Sequence, residues 1–410
     1  MFDQTDGMRH LPFFTELAAL EDGDPSWRSV SAGLVVLRLV DSWIEEGSAA
    51  VAVDGWGIRS VEAAIEEMEE GLPARSVLRS VVTALKSSPP NDMRAIAPRL
   101  LAYGRSLDLD AKWSLAADVY ETVIAHVHPV EESDVAITAH LRLAMVLRHL
   151  GELDRSSSTY EAVRVLAQTT GDLVGALRAE VGCARISTLR GNLPSAETTL
   201  DGVIRQAAKH GLTDVHAHAL HERADVAYLR GQYDVAVRFS YEALENETDP
   251  NNRDRLLADI AASFYMLGAR SAARDAYLIL EATCREQYLR WIAEINLMEI
   301  ASVDGSSTLF ERYRRSLMRA DLAVNLQAQL HVHVGEGYAR LGDLNAASEA
   351  LLAAKDIATR FDFNQILFAV EERLSNLPQL TTTAPTSHVP DHLVDIAERV
   401  HQIGRDMALY

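Results

Sequence analysis

The sequence predicts an all-α protein, a solenoid of stacked antiparallel helix pairs, and three observations carry that prediction. Six glycines form a ladder: Gly151, Gly191, Gly231, Gly268, Gly305 and Gly342. The first steps are 40 residues (191 − 151) and the later three are 37 (305 − 268). Ala111 lies one further 40-residue step upstream, as a first rung whose glycine is replaced. Each rung closes one apolar helical pattern and precedes another, as in "LRLAMVLRHLGELDRSSSTYEAV" and "GEGYARLGDLNAASEALLAA". A residue that enters left-handed geometry cheaply belongs where a helix stops and the chain doubles back.

The third observation is a fixed grammar around each rung. A small residue follows five positions on: Ala116, Ser156, Ala196, Ala236, Ala273 and Ala347. Four positions further a large one recurs, at Tyr120, Tyr160, Leu200, Tyr277 and Leu351. Another small residue stands seven before the rung: Gly104, Ala144, Ala184, Ala224, Ala261 and Gly335. Small residues let two helices approach, and the large one plugs the gap to the next pair. Self-similarity at this period marks a repeat array.

This pattern resembles the tetratricopeptide repeat (TPR) family, whose repeats are about 34 residues long. Here each helix would be about one turn longer, as in the long-repeat TPR domains of bacterial regulators. The resemblance covers residues 95–363 and implies seven repeats in a right-handed solenoid. It is weakest in the Gly305 unit, where Phe310 and Arg314 replace the small and the large residue.

The chain before the ladder reads as a small helical bundle or cap over residues 1–90. A short helix is expected over 11–20. Asp24 then caps a helix with Pro25 at its first position, its inward face carrying Trp27, Val30, Leu34, Leu37, Val40 and Ile44 until Gly47. Residues 48–57 read as irregular, with a brief extended segment. A helix over 57–70 carries an acidic tail and ends at Gly71. Pro73 opens another, with Val77, Leu78, Val81, Val82 and Leu85 inward. Pro89 and Pro90 mark the boundary, because neither can continue a helix.

The repeats and a capping helix occupy 91–376, and 377–390 has the composition of a linker, with three prolines and a threonine run. Residues 391–410 form a final amphipathic helix with Leu393, Ile396, Val400, Ile403 and Met407 on one face. It can cap the array, exchange with a second subunit or occupy the groove.

Composition narrows the function. A net charge of −20 argues against nucleic acid as the partner, since phosphate neutralisation needs a basic surface. There are four lysines, Lys86, Lys112, Lys209 and Lys355, so nearly all positive charge is arginine. Two cysteines, Cys183 and Cys284, lie in different repeats and form no disulfide framework. No signal peptide is evident, and the longest apolar run, 32–40, is broken by Arg38 and too short for a membrane. A cytoplasmic protein is expected.

No catalytic constellation is present: the phosphate-loop pattern G-x-x-x-x-G-K-S/T, the G-x-S-x-G elbow, H-E-x-x-H and C-x-x-C are all missing. No enzyme activity and no cofactor are expected. The nearest metal-like group is His218, His221 and Asp225, which share a helix face at i, i+3 and i+7; a chance histidine-rich helix is the simpler reading, and no metal is expected.

In the TPR family the first helix of each repeat lines the concave face, where peptides or partner helices bind. On this chain the resemblance places Arg105, Met145, Arg148, Arg178, Arg185, His221, Asp225, Tyr228, Arg255 and Tyr265 there as peptide-binding residues. Arginines hold carboxylates bidentately, which points to an acidic peptide or protein partner; their pairing with acids of neighbouring repeats is the plainer alternative. The chaperone-type carboxylate clamp of some members needs Lys and Asn at places held here by Leu101, Arg105 and Met145, and is not expected. The leading expectation is therefore a non-enzymatic interaction scaffold with a peptide or partner helix in its groove. The alternative is a signalling regulator in which a groove ligand controls the N-terminal bundle, a layout like that of the bacterial Rap-type regulators. Self-association through the last helix fits either.

Overall fold

The computed structural model describes residues 9–21, 24, 26–46, 56–89, 92–284, 286–320, 322, 324–361, 363–377 and 389–408. Pro25, most of the segment 48–57 and nearly all of the 377–390 linker lie outside them. The described residues contain twenty α-helices and no strand. The fold is all-α, as expected. It divides into two compact units, 1–199 and 200–410.

Unit 1 opens with α1 (Leu11–Ala19), α2 (Ser26–Glu46), α3 (Trp56–Glu66) and α4 (Pro73–Ser87). Asp24 accepts a 2.7 Å hydrogen bond from the Ser26 amide and so caps α2. Two details depart from expectation. Trp27 is 46% exposed, with no described element over the first turn of α2, whereas Val36, Leu39, Asp41 and Trp43 are buried around the rest of the helix. The third helix ends at Glu66, so Glu67, Glu69 and Glu70 of the acidic tail fall outside it, before Gly71 turns left-handed at φ 92°.

The repeats follow as pairs. In unit 1 they are α5 (Met93–Leu109) with α6 (Trp113–His126), α7 (Ser133–His149) with α8 (Leu153–Thr170), and α9 (Leu173–Leu189) with α10 (Leu193–His210), which runs across the boundary. In unit 2 they are α11 (Thr213–Leu229) with α12 (Tyr233–Asn246), α13 (Pro250–Met266) with α14 (Arg270–Thr283), α15 (Gln287–Val303) with α16 (Ser307–Leu317), and α17 (Val324–Arg340) with α18 (Leu344–Arg360). Then come α19 (Asn364–Ser375) and, after a 3-10 turn at Asp391–Leu393, α20 (Val394–Ala408).

The rungs behave as one device. The six ladder glycines have φ between 72° and 90°, and Ala111 adopts φ 56° in their place. At each rung the next amide reaches back to the carbonyl five residues earlier: Lys112 to Leu107 at 2.8 Å, Glu152 to Leu147 at 2.9 Å, Asp343 to Tyr338 at 2.9 Å. This is the Schellman closure that satisfies the last carbonyls of a helix. The two step lengths also have a cause. Over 151–231 the second helices, α8 and α10, have 18 residues and close on left-handed Gly171 and Gly211. In the 37-residue steps the second helices shorten to 14 residues in α12 and α14 and 11 in α16.

The small and large positions pack as the grammar requires. Ala116, Ser156, Ala196, Ala236, Ala273 and Ala347 are all buried, and so are Tyr120, Tyr160, Leu200, Tyr277 and Leu351. A methyl on Gly104 would lie 2.5 Å from the Tyr120 ring, so α5 and α6 are in contact through that glycine. The atypical Gly305 unit is repaired by its neighbour: buried Phe310 sits against Gly337 of α17 and meets Tyr338 edge-on at 5.1 Å.

One apolar core in unit 1 runs without interruption from Phe13 to Leu147, joining α1–α4 to the first repeats. A polar knot crosses it. Asp41 of α2 pairs with Arg9 at 3.1 Å, with His10 at 3.3 Å and with His126 of α6 at 3.5 Å, while His10 meets Asp118 of α6 at 2.7 Å. In unit 2 the core takes in Leu393 and Val400. Helix α20 packs on α14, with His401 to Asp275 at 2.7 Å, and Arg399 reaches Glu245 of α12 at 3.0 Å. It thus rests on second helices of the repeats rather than on first ones.

Candidate functional site

The first-helix faces of the two units differ in how their charges are satisfied. In unit 1, α5, α7 and α9 carry Arg105 and Arg178 exposed, and Met145, Arg148 and Arg185 half-buried. Arg105, Arg148 and Arg178 make no ion pair or hydrogen bond among the described residues, whereas Arg185 is engaged. Arg142, which sits one residue off the apolar stripe of α7, joins this group. Burial, together with the charges of Arg105 and Arg178, lowers its guanidinium from the usual arginine value. Sequence spacing alone passed over Arg142, because it lies between the face positions Leu141 and Met145.

Unit 2 presents the opposite arrangement. Tyr265 of α13 donates a 2.7 Å hydrogen bond to Glu299 of α15, so its polar tip is held by the neighbouring repeat. Glu299 also pairs with His333 at 3.0 Å and Arg340 at 3.4 Å, both from α17. Arg340 holds Glu336 at 3.2 Å, and Arg373 of α19 binds the same carboxylate. Burial would raise the Glu299 carboxyl, but these partners hold it down at about 2. Arg255, expected as a ligand residue, pairs with Glu286 at 3.3 Å. Tyr228 is half-buried with its ring edge against Tyr233 at 5.3 Å.

The metal-like histidine group is also rearranged. His218 is exposed and faces Glu222 at 3.8 Å. His221 reaches across to Asp259 of α13 at 2.8 Å, and Asp225 lies beside them, so that one ligand atom from each falls within 4.8 Å of the others. One imidazole nitrogen and two carboxylates of this kind could hold a divalent cation. Asp259 was not foreseen because it comes from the neighbouring helix. A second group, Glu299, His333 and Glu336, is neutralised by Arg340 and Arg373 and so offers a cation little.

No protein-family model matches the chain, and no curated protein matches it in sequence. Solved structures match it in fold. The Rap conjugation gene regulator of the plasmid pLS20, in complex with a Phr peptide, is 12% identical, with 87% of this chain and 99% of that one covered at a TM-score of 0.51. The apo form of the quorum sensor NprR from B. thuringiensis is 12% identical, covering 84% and 90%, at a TM-score of 0.50. With these likenesses and the seven rung-closed helix pairs, the fold is that of the TPR-like helical repeats. No helix among the described residues is long and apolar enough to cross a membrane.

Proposed function

We propose that this chain is a non-enzymatic, peptide-binding repeat protein of the cytoplasm whose ligand lies along the first helices of unit 1. The observation that carries the reading is the contrast between the two faces. The acids and bases of α13, α15, α17 and α19 satisfy one another, while Arg105, Arg148 and Arg178 of α5, α7 and α9 make no ion pair among the described residues, in a protein of net charge −20. Guanidiniums in that state favour an acidic or carboxylate-bearing segment. Two proteins of the same fold, a regulator solved with a peptide and a quorum sensor, support the peptide reading. Affinity purification with wild type beside Arg148→Glu plus Arg178→Glu tests it. Loss of the captured peptide or protein in the variant is expected; retention of every partner would remove the groove from consideration.

The regulator reading is favoured by one further observation. The continuous core from Phe13 to Leu147 couples α1–α4 to α5 and α7, so a ligand on those first helices presses on the same packing. Hydrogen exchange over residues 11–87, with and without a captured ligand, distinguishes a scaffold from a switch. Slower exchange there on binding supports the switch, and an unchanged pattern leaves the scaffold.

A further inference from the structure

Helices α5, α7 and α9 lie side by side within unit 1, and Arg105 of α5 and Arg178 of α9 come near enough to Arg142 of α7 for their charges to act on it. None of the three has an ion-pair or hydrogen-bond partner among the described residues. Arg105 and Arg178 are exposed and Arg142 is half-buried. Their charges act on one another strongly enough, with burial, to lower the Arg142 guanidinium. Three like charges held together at a partly desolvated place cost stability unless something opposite answers them.

The floor of the same place carries an unanswered donor. Tyr120 of α6 is fully buried, its ring seated on Gly104, next in sequence to Arg105. Its hydroxyl has no hydrogen-bond partner among the described residues, and burial pushes the phenol up. The charges acting on it are those of Arg142, Asp108 and Arg105. Asp108 is the carboxylate whose charge acts on both Arg142 and Tyr120, and among the described residues it makes no ion pair with any of the three guanidiniums. Three positive charges against one negative leave two over, beside an orphaned phenol.

We propose that Arg105, Arg142, Arg178 and the Tyr120 hydroxyl form an oxyanion subsite that receives a carboxylate of the bound peptide. This rests on the peptide-binding reading above and names the chemistry at one point of it. The carboxylate is either a free C-terminus or an Asp or Glu side chain. Both present the planar pair of oxygens that guanidiniums bind in parallel.

The test uses the full chain and thermal unfolding by circular dichroism, with glutarate as the probe and sodium chloride at equal ionic strength as its control. Glutarate is expected to raise the midpoint of wild type by about 2 °C beyond the chloride. Arg142→Met is expected to melt higher than wild type without either salt, since the repulsion is gone, and to respond equally to both. An undiminished glutarate preference in Arg142→Met overturns the subsite. Should that variant fail to fold, Arg105→Met plus Arg178→Met, both at exposed positions, carries the same comparison. Acetyl-tetra-alanine as free acid, its C-terminal amide, and an amide containing one glutamate then separate the two sources: the free acid alone, or the glutamate peptide alone, binding about tenfold better than the neutral amide identifies which carboxylate is taken. Peptides bound equally by wild type and Arg142→Met would leave the peptide reading standing and remove the subsite. An arginine-dependent glutarate response with no peptide bound would keep the subsite and remove the peptide.

Discussion

Gly337 gives Phe310 its place: a methyl on this helical glycine would lie 2.2 Å from the Phe310 ring. The repeat that breaks the small-residue rule on α16 is thus compensated by a missing side chain on α17. Gly337→Ala should gain about 1 kcal/mol of helix propensity and lose more to overpacking, for a net loss of about 2 kcal/mol. Phe310→Ala should cost about 3–5 kcal/mol by opening a cavity. Adding Phe310→Leu to Gly337→Ala should recover part of the first loss. Urea unfolding of wild type, Gly337→Ala, Phe310→Leu and the double variant checks the pair, and strict additivity would show that the two residues do not compensate each other.

Ala111 occupies a left-handed rung without being glycine. That conformation costs a residue with a Cβ about 1 kcal/mol. Ala111→Gly should therefore stabilise the protein by about 0.5–1 kcal/mol, while Gly231→Ala, at φ 72°, should destabilise it by a similar amount or more. Denaturant midpoints at constant slope are the measurement.

His10 couples stability to pH. Burial opposes its charged form, but Asp118 and Asp41 outweigh that and raise its pKa to about 9 from 6.5. A raised folded-state pKa means the His10 contribution is fully present below about pH 6.5 and fades as pH rises through 9. The expected loss across that window is about 2–3 kcal/mol. Asp41, held far below the usual carboxylate range against burial by His10, His126 and Arg9, gives the opposite limb: its contribution fades only on strong acidification. Urea unfolding at pH 6.5 and 9 should show the alkaline slope in wild type and its absence in His10→Gln.

Val400 anchors α20 in the unit 2 core and is fully buried. Val400→Asp should release the helix at a local cost of about 3 kcal/mol, and amides of α20 should exchange faster while those of α5, α7 and α9 do not change. High salt should do much less, because Arg399 with Glu245 and His401 with Asp275 are largely exposed pairs.

Much of the fold was legible because a left-handed φ is a residue-specific demand, and the ladder exposed it even where Ala111 stood in for glycine. Gly171 and Gly211 were harder, since only two repeats use them. Trp27 misled because helical periodicity says which residues share a face but not whether anything covers it. Of the candidate site, the resemblance to TPR repeats put Arg105, Arg148 and Arg178 on first helices, and α5, α7 and α9 carry them. Arg142, Asp259 and the partners of Glu299 could not be read that way: each depends on which residue of a neighbouring helix comes opposite, a matter of helix rotation that one sequence does not specify. The same blindness hid the partners of Tyr265 and Arg255, Glu299 and Glu286.

The seat of α20 has a consequence for how fast the molecule assembles. Helix pairs closed at a rung join residues close in sequence, and such contacts form early and quickly. His401 and Asp275 are 126 residues apart, and Arg399 and Glu245 are 154. Closing so long a loop carries an entropic charge that no neighbouring pair bears. The repeats should therefore gather in a rapid phase and α20 dock in a slower one, leaving an intermediate with the apolar strip of α14 open to solvent. Stopped-flow refolding should then show a lag between helix content and burial at that strip, and a chain cut after Asn376 should keep the fast phase and lose the slow one.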